Sequence, residues 1–257
     1  MKKILCPTDT STASRNAFLF ALHIAKAYQA KIIAFHFYDA SESDYQKAFE
    51  QINQDTKSLN FGAIEIEHIV KTAENRSVEL VVKREKADVV VIATKGAEST
   101  TPVMAGAIVS EIVTNSKSLV LVIPEDRKIS DGIKNITFTT RFREKDKKAL
   151  DKCLEFANII GAKVNCLYIK TTKSDISDSK IKEWERLYEN NNVQFHIIES
   201  NEINKPILEY IDKNQSDLLT ILTYKKNFFE ELFRGSTAQK LSYYASVPVL
   251  VIHESDL

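Results

Sequence analysis

Short apolar runs alternate along this chain with stretches of helical period, and the alternation predicts element after element. Ile4-Leu5-Cys6 reads as a strand ending at the Pro7-Thr8-Asp9 turn. Thr10, Ser11 and Thr12 then offer N-cap hydroxyls for a helix to about Tyr28, apolar around most of its girth through Phe18, Phe20, Leu22 and Ile24. Residues 31–38 form the next strand. Ser43-x-x-Gln46 makes a capping box for a helix with Tyr45, Phe49, Ile52 and Leu59 on one face, and residues 64–70 alternate as a half-exposed strand. A helix over 77–86 leads to the apolar run 89–93, a small-residue loop over 94–105, a helical segment from Gly106 with Ile108, Ile112 and Val113, and a last apolar run over 119–123. The order is β-α-β-α-β-α-β-α-β.

The pattern then repeats. A shift of 132 residues lays Ile4 on Ile136, Ala17 on Ala149 and Ala30-Lys31 on Ala162-Lys163. Beyond the second helix a shift of 129 lays Asp88 on Asp217, Gly106 on Gly235 and the Val120 to Ile123 run on Val249 to Ile252. The polar stretch over 125–132 suits a linker, dividing the chain into domains 1–126 and 133–257.

Strands alternating with helices imply an α/β fold in which each half is an open, parallel five-stranded sheet flanked by helices, Rossmann-like, with right-handed crossovers. Ligands in such sheets sit beyond the strand carboxyl ends, where strand order reverses. With order 3-2-1-4-5 that place lies between strands one and four, so Asp9 and the Gly96 loop face one crevice. The last strand of each half is apolar yet lies on an edge, which predicts that the two cover each other and make an internal pseudo-dimer. A helix N-terminus with Gly96 and Gly106 before it is suited to an anion, because free N–H groups and the helix dipole favour negative charge.

Composition narrows the function. At 257 residues and 44% hydrophobic content the chain has core enough for two domains, and its 35 basic and 35 acidic residues cancel, which argues against a nucleic-acid partner. The opening apolar run stops at Pro7, too short for a signal peptide, and no run reaches membrane-spanning length. Cys6, Cys153 and Cys166 have no metal or redox spacing and read as core thiols, so a cytoplasmic protein without a membrane partner is expected. His36 lacks any Ser/His/Asp or Cys/His company and reads as structural, the other four histidines are scattered, and Trp184 with Ile181, Leu187 and Tyr188 forms one packing face of a helix. There is no P-loop, dinucleotide fingerprint or nucleophile elbow, so neither a catalytic residue nor a metal is assigned.

Two features together resemble the universal stress protein family over essentially the whole chain, as two tandem copies. One is Pro7-Thr8-Asp9 after the first strand; the other is Ala93-x-x-Gly96-x9-Gly106-Ala107 after the fourth, which keeps the family's G-x-x-G-x9-G-[ST] spacing with alanine at its first and last positions. The fold this resemblance implies is that of adenine nucleotide alpha hydrolase-like domains. Its implied function is a stress-response regulatory or adaptor module, not an enzyme, with ATP bound in the first domain, Mg²⁺ optional, and no cofactor in the second. The residues carried over are Asp9 for the adenine with Pro7 and Thr8 beside it, Phe37 against the ring, Ile92 and Ala93 at the strand end, and Gly96, Gly106, Ala107 and Ile108 around the phosphates. Asp9 reads equally as a plain helix cap, and the glycines as turn and packing residues. Partners are then an adenine nucleotide, an unidentified protein, and a second copy of the chain if a homodimer forms. The alternatives are a nucleotide-free interaction protein with both clefts vestigial and, at lowest weight, a slow ATPase.

The second copy departs further. It reads Leu222-x-x-Lys225-x9-Gly235-Ser236, with Arg141 at the place of Asp9. Arg141 cannot accept a hydrogen bond from an adenine amine. It is expected with Lys225 to fill the old cleft against Glu230 or Glu231, plugged further by Tyr224, Phe228, Phe229 and Phe233.

Overall fold

The computed structural model describes residues 2–8, 11–38, 42–58, 63–72, 78–94, 112, 118–125, 127–129, 132–174, 176–223, 247–254 and 257. In the first half these are β1 (Lys3–Thr8), α1 (Thr12–Tyr28), β2 (Lys31–Tyr38), α2 (Glu42–Ser58), β3 (Ile66–Thr72), α3 (Val78–Glu85), β4 (Val89–Thr94) and β5 (Leu119–Pro124). The second half gives β6 (Asn135–Thr140), α4 (Glu144–Ile160), β7 (Lys163–Lys170), α5 (Asp178–Leu187), β8 (Val193–Glu199), α6 (Asn204–Lys213), β9 (Leu218–Thr223) and β10 (Val249–His253). The shift of 132 maps β1, α1 and β2 onto β6, α4 and β7 residue for residue, and the shift of 129 maps β4 onto β9.

The ten strands among the described residues share one sheet in the order β3-β2-β1-β4-β5-β10-β9-β6-β7-β8. Each half has the expected 3-2-1-4-5 order, and pairing is parallel except at the centre, where β5 and β10 run antiparallel with Leu121 opposite Leu250. Those two leucines are equivalent under the 129 shift, so a local two-fold passes between them and each apolar edge strand is covered by its own duplicate. One buried cluster runs through both halves, from Phe18 and Leu22 to Phe138 and Phe156. Tyr28 and Phe156, with ring centroids 6.0 Å apart, bring α1 onto α4.

Three expectations needed correction. β1 does not stop before Pro7 but runs to Thr8. α2 starts at Glu42, so Ser43 lies in its first turn and not at the cap. Leu187 is exposed at the end of α5, whereas Ile181, Trp184 and Tyr188 are buried as the helical face predicts. Among the described residues no helix is long and apolar enough to cross a membrane.

Candidate functional site

The strand order reverses between β1 and β4, the place expected for a ligand, and the backbone shows how these two strands part. Lys3 O accepts from Asp88 N, so odd-numbered residues of β1 turn their peptide groups toward β4. Pairing between the two strands covers only Ile4 with Val89 and Leu5 with Val90. The next odd residue is Pro7, which has no N–H to give. β1 therefore continues in register with β2 as far as Thr8 opposite His36, while its ladder with β4 has ended. At the base the strands are clamped by Asp88 Oδ2, which accepts the Lys3 N–H at 2.8 Å.

The site residues expected from sequence fall into four groups. Pro7 is buried at this divergence; Ile92 is 6% exposed in an apolar cluster against the sheet, and Ala93 follows it one residue before the end of β4. Thr8 is buried, but its hydroxyl turns away toward β2, donating to Phe35 O at 3.4 Å. Phe37 lies one residue before the end of β2, opposite Lys71 of β3. Asp9, Gly96, Gly106, Ala107 and Ile108 lie outside the described residues, as do Lys225, Glu230, Glu231, Tyr224, Phe228, Phe229 and Phe233. The N-cap of α1 is Ser11, whose hydroxyl accepts from Ser14 N at 3.1 Å, so the plain capping role is filled by a residue other than Asp9.

Sequence reasoning missed a polar chain leading away from Thr8. Its hydroxyl oxygen lies 3.0 Å from His36 Nδ1, and His36 Nε2 lies 3.1 Å from His68 Nδ1. With the Thr8 proton given to Phe35 O, His36 must donate from Nδ1 and accept at Nε2 from His68. Phe49 of α2 covers both rings, at 4.6 Å from His36 and 4.0 Å from His68. Burial, then the neighbouring His68, pushes His36 down to about 4, and burial lowers His68 as well. The pair is neutral at pH 7. His36 is thus structural, as expected, but His68 is its partner and not a scattered residue.

The equivalent turn of the second half is filled by the chain itself. Asp146, 3% exposed in the first turn of α4, takes the Arg141 N–H at 2.7 Å, the Arg143 N–H at 3.2 Å and the Thr140 hydroxyl at 3.1 Å on one carboxylate oxygen. Those donors form a small anion-holding nest, and Asp146 is the anion. Phe142 sits between them at φ +55°, its ring buried against Trp184 at 5.0 Å and Tyr168 at 5.2 Å. Arg141 is exposed, and the residues expected beside it, Lys225, Glu230 and Glu231, lie outside the described residues. At the place of Asp146 the first half has Ser14, whose hydroxyl donates to Ser11 O at 3.1 Å.

Comparison with known proteins agrees with this architecture. A universal stress protein of Methanocaldococcus jannaschii is 26% identical over 145 residues, spanning 49% of this chain and 84% of that one. The crystal structure of a universal stress protein from Archaeoglobus fulgidus superposes with a TM-score of 0.73 at 16% identity, covering 98% of this chain and 96% of that one. One of a putative universal stress protein from Pseudomonas aeruginosa gives 0.69 at 12% identity, covering 100% and 95%. At those identities the structures establish the fold alone. The sequence profile of the universal stress protein family matches residues 1–124 and 178–253, most of both halves, and on that match the chain belongs to the universal stress protein family.

Proposed function

We propose that this protein is a regulatory or adaptor module that binds ATP through its first domain, residues 1–126, and has given up that mode of binding in its second, residues 133–257. The observation that carries the reading is the contrast between two equivalent strand-to-helix turns. The second spends its N–H donors on the carboxylate of Asp146; the first has a serine in that position, and before Pro7 the pairing of β1 with β4 has ended. A nucleotide there meets Asp9 at the adenine, Phe37 at the ring, and the Gly96 to Ile108 loop at the phosphates, with Mg²⁺ an option and not a requirement. The mechanism is linkage: ATP favours one arrangement of that loop, and a protein partner distinguishes the arrangements. The role is binding-linked, without turnover.

Isothermal titration of the whole chain with ATP and Mg²⁺ tests this. Saturable heat for one nucleotide per chain, lost in Asp9→Ala and kept in Arg141→Ala, is the expected result. No heat at millimolar ATP overturns the nucleotide switch and leaves an interaction protein with two vestigial clefts; phosphate release abolished by Asp9→Ala makes it a slow ATPase.

A further inference from the structure

A second cleft lies at the far edge of the second half, away from the strand carboxyl-end crevice. It has a volume of about 550 Å³, within the range of small-molecule sites, and runs between the edge strand β8 and helix α6. Its walls include Phe195, Ile198 and Pro206, with Glu209 and Lys213 of α6 at one side. Two further lining residues carry polar atoms that are buried and have no hydrogen-bond partner: the Nε2 of His196 and the hydroxyl of Tyr210. Tyr210 is 7% exposed, and the two rings stand 5.2 Å apart.

Internal duplication provides the control. β2 and β3 pair with Ile69 opposite Phe35, and β7 and β8 pair with His196 opposite Leu167, so His196 stands where the first half has Ile69. The turns after α3 and α6 close with equivalent bonds, Ala87 N–H to Val82 O and Ser216 N–H to Ile211 O, which puts Tyr210 where the first half has Val81. Ile69 and Val81 belong to one apolar cluster. The fold is therefore satisfied at these two positions by aliphatic side chains. Leaving a polar group buried without a partner destabilises a protein, so the exchange to histidine and tyrosine calls for a compensating contact.

We propose that this cleft is a binding site for a neutral, flat ligand bearing a primary carboxamide, with Tyr210 and His196 as the groups that hold the amide. Burial raises the Tyr210 hydroxyl and lowers His196, so both are uncharged at neutral pH and an ion finds no counter-charge in the floor. Glu209 and Lys213 beside it contribute one charge of each sign. A phenol donates to a carbonyl oxygen; imidazole Nε2 either donates or accepts according to tautomer, and a primary carboxamide offers the complement in both cases. Ile198, on the same face of β8 as His196, and Pro206 suit an apolar ring behind it. Because neither polar atom reaches solvent, the ligand engages them by parting the two rings.

Benzamide is a direct probe, with benzoate and ethylbenzene as controls of similar size. In a titration of the ¹⁵N-labelled whole chain followed by NMR, benzamide is expected to produce saturable shifts confined to residues 195–198 and 206–214 and to the His196 ring nitrogens, with both controls at least fivefold weaker. Tyr210→Phe, which keeps the ring and removes the orphan hydroxyl, is expected to weaken benzamide about fivefold while leaving thermal stability unchanged or higher. Absence of saturable shifts overturns the proposal. So does a Tyr210→Phe chain that binds benzamide as tightly as the parent, or an ordered water bridging His196 and Tyr210 in a crystal structure. ATP binding by the first domain is read separately, so failure at one site leaves the other standing.

Discussion

The strand ends β1 and β6, equivalent under the 132 shift, connect their polar groups in different ways. Both strands are clamped at the base by an aspartate, Asp88 on Lys3 N–H and Asp217 on Asn135 N–H, and both lead to a helix of 17 residues. After β1 the polar groups at the turn's start connect sideways, through Thr8 to His36 and His68. After β6 they converge on Asp146, and Phe142 packs down onto Tyr168 and Phe195, residues that stand where the first half has His36 and His68. One duplicate has turned its turn into core; the other has kept polar groups under it. The family profile, which stops at 124 and resumes at 178, passes over the stretch that contains the rebuilt turn.

The comparison is broken most directly at Phe142. If its ring anchors the rebuilt turn, Phe142→Ala removes a fully packed aromatic and costs about 3–4 kcal/mol in urea denaturation. ATP titration into the first half is expected to be unaffected. A loss under about 1 kcal/mol would mean the turn is held by Asp146 alone. The substituted residue remains at positive φ, where alanine is also disfavoured, so the backbone gives back little of the loss.

Acid separates the halves next. His36 titrates near 6.5 unfolded and about 4 folded, so below pH 6.5 the unfolded chain binds the additional proton and stability falls with pH. The contribution is complete above about pH 6.5 and is lost progressively toward pH 4, on the order of 3 kcal/mol for a shift of this size. His68 shifts in the same direction and adds to it. Urea midpoints measured between pH 7.5 and 4.5 should show this slope. Exchanging the pair for its second-half counterparts, His36→Tyr with His68→Phe, should flatten it; an unchanged slope would place the acid sensitivity elsewhere.

What the sequence made legible, and what it hid, follows from the range of each signal. Strand order and the meeting of β5 with β10 were readable because apolar runs mark buried strands and an uncovered apolar edge needs a cover. The role of Pro7 was not, because a proline within a strand is tolerated only where its missing N–H faces no neighbour, and that depends on where β4 has gone. Asp146 in Glu144-Lys145-Asp146 looks like any acidic first turn of a helix; only the fold shows that it accepts from the preceding loop. His36 and His68 meet through the β2–β3 register, which fixes partners that spacing along the chain cannot show. Of the expected ATP residues, Pro7 stands where the β1–β4 pairing has ended and Thr8 turns its hydroxyl to β2, and the assignment of all of them to ATP rests on the titration.

The smallest effect is the cleanest internal test of equivalence. α1 and α4 both end on a residue in the left-handed region, Gln29 at φ +50° and Gly161 at φ +74°, and in both the cap N–H closes on carbonyls of the last turn, Ala25 and Lys26 in one, Ala157 and Asn158 in the other. Glycine adopts that conformation without a Cβ clash, whereas glutamine is strained there. Gln29→Gly should therefore stabilise the first half by about 0.5–1 kcal/mol, despite the greater freedom glycine gains in the unfolded chain, and Gly161→Gln should destabilise the second by a similar amount. Thermal melts of the two single variants would read opposite shifts of a few degrees at most. If both variants lose stability, the two helix ends are alike in backbone only, and Gln29 holds its place through contacts of its side chain that its duplicate never had.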